Sequence, residues 1–289
     1  MENMNDITEK IIAWAARLEN NRLGPDSDLF AFGEPLVGFA AGNDPLFAFL
    51  QEDIGPDFYW TPEIAYRIAF PLEELSADDL SVITWVLPQT ENTRMAHGRM
   101  HEMPSIEWSK ARHYGEQVNM NLRRYVVEMM AIDGYHACSP MLMPEWSRET
   151  SARYGYASSW SERHTAYVCG LGTFGLSDGL ITRAGKAIRV GSAVVRRKLS
   201  PSPREYTHHM AWCMRFAGRE CMACIRRCPI GAISECGHDK VRCKEYIRNV
   251  TAEYVEQHQL GFTVNSCGLC QTRVPCEEGI PFARGRKRR

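Results

Sequence analysis

The sequence predicts a mixed front domain, of the α+β or α/β class, over residues 1–200. A small cysteine-built domain follows over 201–283, with a basic tail at 284–289. Three observations carry this reading. Helix-period and strand-period apolar patterns alternate through the first 200 residues. Nine of the eleven cysteines fall between Cys213 and Cys276, and none precedes Cys138. Charge divides at the same place: residues 1–200 hold 19 basic and 26 acidic side chains, net −7, whereas 201–289 hold 15 and 9, net +6.

The 289 residues suit one large domain or two modest ones. With 44% hydrophobic and 24% charged residues, the chain is neither disordered nor fibrous. Lys+Arg at 34 against Asp+Glu at 35 excludes a global basic field for nucleic acid. An amphipathic helix is expected over residues 6–19, with Ile7, Ile11, Trp14, Ala15 and Leu18 on one face. Apolar, β-branched or aromatic runs at 35–41, 81–87 and 187–195 read as strands. Ser105 is the expected N-cap of a long helix whose core face runs Ala111, Tyr114, Val118, Leu122, Tyr125, Val126 and Met129, with Gly134 ending it. Met95, His97, Met100, His101 and Met103 read as a loop ahead of that helix, not as a soft-metal site. Met129, Met130, Met141 and Met143 read as core filler or as a pocket wall.

No signal-like apolar core follows the polar first ten residues, and no run of about 18 apolar residues is present. The expectation is therefore a cytoplasmic chain with no membrane partner, whose clustered cysteines are reduced metal ligands. The first run is Cys213-x7-Cys221-x2-Cys224-x3-Cys228-Pro229, and the second is Cys243 followed by Cys267-x2-Cys270-x5-Cys276. In two-cluster ferredoxins the last cysteine of a C-x2-C-x3-C-Pro run ligates the other cluster. That rule gives two [4Fe–4S] clusters with reciprocal ligands. Cys213, Cys221, Cys224 and Cys276 would hold one, and Cys243, Cys267, Cys270 and Cys228 the other. Paired C-x2-C motifs also suit zinc ribbons, but each pair here carries an additional cysteine. The x7 and x5 spacings leave individual ligands more open than the clusters themselves. Cys236 reads as a loop thiol, and Cys138 and Cys169 as small buried hydrophobes.

Gly170-x-Gly172-x-x-Gly175 fits the dinucleotide fingerprint in letters only. The residues after it leave no room for the required helix, and Arg196-Arg197-Lys198 stand where the ribose-binding acid belongs. Glycines there still permit close approach of backbone to a bulky ligand.

Glu162-Arg163 leading to Gly170-Leu171-Gly172-x-x-Gly175, the Cys-Pro run, Arg242-Cys243-x-x-Tyr246 and Cys267-x2-Cys270-Gln271 together resemble the superfamily of epoxyqueuosine reductases and reductive dehalogenases. The resemblance covers roughly residues 120–282. It implies a nitroreductase-like cobalamin-binding domain followed by a bacterial two-[4Fe–4S] ferredoxin-like domain. It also implies that Gly170, Leu171, Gly172, Thr173, Phe174 and Gly175 line the corrinoid site. Tyr156 stands near the place of the acid that epoxyqueuosine reductases carry, and dehalogenases of this superfamily use a tyrosine as proton donor. The second motif ends Val274-Pro275-Cys276 in place of Cys-Pro. Neither a C-terminal helical-repeat domain nor a twin-arginine leader is expected.

The implied activity is a cobalamin-dependent iron–sulfur reductase of a small substrate, supplied with electrons by a donor such as ferredoxin or flavodoxin. Tyr156, Glu162 and His164 are its proton-donor candidates. Bland alternatives are a surface ion pair for Glu162-Arg163 and a partly buried core imidazole for His164. The competing function is electron transfer or corrinoid reactivation without a substrate of its own. tRNA binding through the basic tail is the weakest partner reading, because such ends are usually solvated.

Overall fold

A computed structural model of the chain describes residues 2–282, with side chains from Met4 onward. The basic tail expected at 284–289 lies outside the described residues. In chain order the first part contains helix α1 (Glu2–Ala15), strand β1 (Leu36–Ala41), helices α2 (Pro45–Ile54) and α3 (Pro62–Ala69), and strand β2 (Ser81–Pro88). Helices α4 (Glu91–Gly98) and α5 (Ile106–Ile132) and strand β3 (Ala137–Cys138) follow. Next come hairpin β4 (Arg148–Ser151) and β5 (Gly155–Ser158), helix α6 (Glu162–Val168), hairpin β6 (Gly172–Phe174) and β7 (Leu180–Thr182), and strand β8 (Ile188–Val195).

The central sheet has the order β1-β2-β8-β3, and every pairing is antiparallel, with Phe39 opposite Ile83 and Val82 opposite Val194. Of the two expected classes, this antiparallel sheet with its helical layers is α+β. Seven successive residues of β2 are buried, because helices cover both faces. Ile83, Trp85 and Leu87 join Ile7, Ile11, Leu122 and Val126 from α1 and α5. Val82 points the other way, among Phe47, Leu50 and Tyr66 from α2 and α3. Each fully buried Ile, Leu or Phe here contributes about 1.5–3 kcal/mol.

Local chemistry sets the helix starts. Asp44, Thr61 and Ser105 accept from Leu46, Ile64 and Trp108 backbone N–H at 3.1, 3.3 and 3.2 Å. Pro45 and Pro62 occupy first-turn positions, where no donor is lost. The helix expected over 6–19 spans Glu2–Ala15 instead, and Leu18 belongs to a separate 3₁₀ turn. Tyr114 and Tyr125 are half-buried rather than core residues. Met95 and His97 are not in a loop: Thr90 caps α4, His97 stacks on Trp108 at 4.2 Å, and its Nδ1 accepts from Ser105 N–H at 3.3 Å.

The cysteine-rich part contributes helix α7 (Ala223–Arg226), hairpin β9 (Ile233–Ser234) and β10 (Gly237–His238), and helix α8 (Lys240–Tyr246) capped by Asp239. Helix α8 continues through a π turn into α9 (Ala252–Val255) and a second π turn. This part is sewn onto the first. Trp212 N–H donates to Thr173 Oγ1 at 2.9 Å, Arg227 to Met100 O at 2.7 Å, and Gln259 to Pro104 O at 2.7 Å. Among the described residues no helix is long and apolar enough to cross a membrane.

Candidate cofactor cavity and cysteine groups

The eight expected cysteine ligands gather into two groups. Cys276 lies within electrostatic reach of Cys213, Cys221 and Cys224, although 48 residues separate Cys276 from Cys228 at the end of that run. Cys243 has Cys228, Cys267 and Cys270 as its neighbours. The groups meet where Cys224 approaches Cys270. Burial, reinforced by neighbouring sulfurs, pushes Cys243 up to about 12, and Cys267 and Cys276 up to about 11. Such thiols stay protonated near neutrality unless a metal takes the proton's place. Ala232 N–H donates to Cys228 Sγ at 3.2 Å, as the chain turns into β9 after Cys228-Pro229. Cys236 is exposed, while Cys138 and Cys169 are buried in the sheet layer.

Beside the Cys243 group lies a cavity of about 1040 Å³, at the upper end of sizes for small-molecule sites. Helix α2 supplies Phe49, Leu50 and Asp53; hairpin β4–β5 supplies Arg148, Tyr154 and Tyr156; α6 supplies Arg163, His164 and Tyr167. The opposite wall comes from the cysteine-rich part, through His238, Lys240, Cys243, Lys244 and Arg248. Six Arg and Lys residues against Asp53, Glu149 and Asp178 give the lining a positive balance. Asp178 joins the walls: its carboxylate meets His238 Nδ1 at 3.2 Å, and its carbonyl accepts from Arg163 at 2.7 Å. Burial would raise its pKa, yet His238 and Lys240 hold it below the ordinary value.

The three proton-donor candidates are placed differently. Tyr156 is 44% exposed at the cavity rim, with Lys244 Nζ 3.4 Å from its ring centroid. His164 lines the cavity between Tyr59 and Phe174, its Nδ1 2.7 Å from Ser161 Oγ. Burial, then Arg163 and Lys240, lower its pKa to about 3, so the imidazole is neutral near pH 7. Glu162 is absent from the lining and does not pair with Arg163. It accepts from the buried Arg123 at 3.2 Å and from the Ser192 hydroxyl. Burial raises its pKa against the pull of Arg123.

Of the six loop residues expected at the corrinoid, Phe174 alone reaches the cavity. Thr173 is buried as the acceptor for Trp212, and Leu171 packs beside Val86 and Val190. Gly170 and Gly172 are glycines for packing. A Cβ would lie 2.7 Å from Pro203 O at Gly170, where φ is +80°, and 2.4 Å from Ile181 O at Gly172. The chain after Gly175 turns into β7 rather than a helix, so the dinucleotide geometry is not built.

No family model matches the chain, and no curated protein matches it. Among solved structures, an epoxyqueuosine reductase with an epoxyqueuosine-modified tRNA-Tyr stem loop aligns at TM-score 0.50 and 16% identity, over 96% of this chain and 67% of that one. This chain has the epoxyqueuosine-reductase fold. The epoxyqueuosine reductase of Bacillus subtilis aligns at TM-score 0.47 and 15% identity, over 96% and 67%. A reductive dehalogenase of B12-dependent dehalogenation aligns at 0.49 and 15%, over 86% and 30%. The chain thus spans about two thirds of the epoxyqueuosine reductases and under a third of the dehalogenase.

In this version of the epoxyqueuosine-reductase fold, sequence reasoning missed Tyr59, Asp178 and the cations of α8. Tyr59 is 3% exposed yet lines the cavity, and burial with Glu162 nearby raises its pKa. Isolated Tyr, Asp and Lys residues carry no local signature. Only the joining of α2, α6 and α8 around one space reveals them.

Proposed function

We propose that the chain is a corrinoid-dependent iron–sulfur reductase of a small substrate. Residues 1–200 would form the nitroreductase-like corrinoid domain and 201–283 the two-[4Fe–4S] domain. One observation carries this reading: Cys243 belongs to a four-cysteine group and also to the wall of the 1040 Å³ cavity. A redox centre at that group would touch whatever fills the cavity.

The residues fit such groups. Cys213, Cys221, Cys224 and Cys276 would hold one cluster, and Cys228, Cys243, Cys267 and Cys270 the other. A cavity of this size with aromatic walls and a positive balance suits a large ring bearing amide and phosphate groups. A corrinoid bound there would supply the low-potential metal chemistry that side chains lack.

The protein's part is positioning, proton supply and exclusion of water. Arg163, Lys240 and Arg248 offer donors to the cofactor periphery. Phe174, Tyr59 and Tyr167 form apolar wall. Tyr156 presents its Oη at the rim, its ring beneath Lys244 Nζ, and is the donor best placed for a substrate entering there. His164, neutral and anchored on Ser161, orients rather than acidifies. Glu162 positions α6 through Arg123.

Anaerobic purification, incubation with cobalamin and quantification of iron, sulfide and cobalt test the proposal. About eight irons per chain with one corrinoid support it. Iron without retained corrinoid favours an electron-transfer or reactivating protein, and zinc in place of iron overturns the reading.

A further inference from the structure

A lysine lies between the two cysteine groups. Lys186, in the connection from β7 to β8, is 3% exposed. Its backbone N–H donates to Cys276 O at 3.0 Å, and its Nζ donates to Ser177 Oγ at 2.6 Å. Ser177 in turn stands beside the Cys270 sulfur. With Cys213, Cys221, Cys224 and Cys276, Lys186 lines a small cavity of about 20 Å³. The strongest attractions on its ammonium come from Cys276, Cys270, Cys224 and Cys213, three sulfurs of the first group and one of the second.

A buried ammonium is expensive unless negative charge answers it. Four thiolates around iron leave a cluster with net negative charge, and reduction adds another electron to it. A fixed cation nearby favours the reduced form, since cluster potentials follow net charge and hydrogen bonds to sulfur. We propose that Lys186 is the shared counter-charge of the two clusters, a positioning residue that eases the entry of electrons into both. The inference rests on the iron–sulfur reading above. In each step one electron passes from an external one-electron reductant to a cluster; no bond breaks, and Lys186 keeps its proton.

The test is a redox titration of the reconstituted full chain, followed by electron paramagnetic resonance with dithionite as reductant, beside iron per chain. Lys186→Met should lower the reduced-to-oxidised ratio at fixed potential at least tenfold, which is about 59 mV for a one-electron couple. Lys186→Arg should stay within about threefold of the parent. Unchanged potentials in K186M at full iron content overturn the inference. Should K186M lose its iron, Ser177→Ala carries the test: a lowered potential of the Cys270 cluster supports the inference, and an unchanged one at full iron overturns it. A parent protein without iron would instead refute the iron–sulfur reading.

Discussion

Lys244 sets its Nζ 3.4 Å from the centroid of the Tyr156 ring, so helix α8 is joined to hairpin β4–β5 across the mouth of the cavity. Lys240 adds a second tie by donating to Tyr154 O at 3.2 Å, and Tyr154 donates to Asp53 of α2 at 2.6 Å. The hairpin thus bridges both walls. A cation over a partly exposed ring is worth about 0.5–1 kcal/mol. Lys244→Ala should lose about that much stability and speed amide exchange across residues 148–158. Exchange confined to its parental rate there would show that the contact does not hold the hairpin.

Glu162 shares the buried guanidinium of Arg123, which is 2% exposed, with Glu116. Removing one partner of a buried pair leaves charge uncompensated. Glu162→Ala should therefore cost on the order of 3 kcal/mol in denaturant unfolding. A loss below about 1 kcal/mol, of the size typical of surface pairs, would mean that Glu116 alone satisfies Arg123.

His164 predicts a pH dependence of definite sign. Its folded-state pKa of about 3 lies below the ordinary 6.5, through burial and then Arg163 and Lys240. Between those values the unfolded chain binds the extra proton. The stability that His164 contributes is therefore complete above about pH 6.5 and is lost as pH falls toward 3. His164→Gln should show a smaller loss of stability than the parent on moving from pH 7 to pH 5. Equal losses would show that His164 protonates freely in the folded chain.

The reciprocal grouping makes Cys228 and Cys276 diagnostic, because each sits with the group distant in sequence. Each substitution to Ala should remove about half of the iron, provided each group holds one four-iron cluster. Cys228→Ala should spare the signal of the Cys213 group, and Cys276→Ala that of the Cys243 group. The opposite pairing of losses would place each cysteine with its own run.

The cysteine grouping was legible because the C-x2-C spacings are local, and the strands and α5 because their apolar periods and the Ser105 cap are local too. The antiparallel order was not, since β8 comes to lie between β2 and β3 through contacts more than fifty residues apart. The same limit hid the cavity, whose walls come from four distant segments. Gly170 and Gly172 are ambiguous in sequence for a different reason: a glycine needed where Pro203 and Ile181 crowd the backbone looks there like one needed for a ligand. Lys186 carried no signal, because its meaning depends on sulfurs up to 90 residues away.

One space holding a corrinoid against a cluster at the Cys243 group is what the proposed function requires. Gel filtration of the anaerobically reconstituted protein after incubation with cobalamin tests it most directly, beside a variant that fills the cavity, Ser158→Trp. The account predicts about one corrinoid retained per chain, and corrinoid lost from Ser158→Trp while its iron stays in place. Equal retention by both proteins, or none by an iron-replete parent, would contradict it.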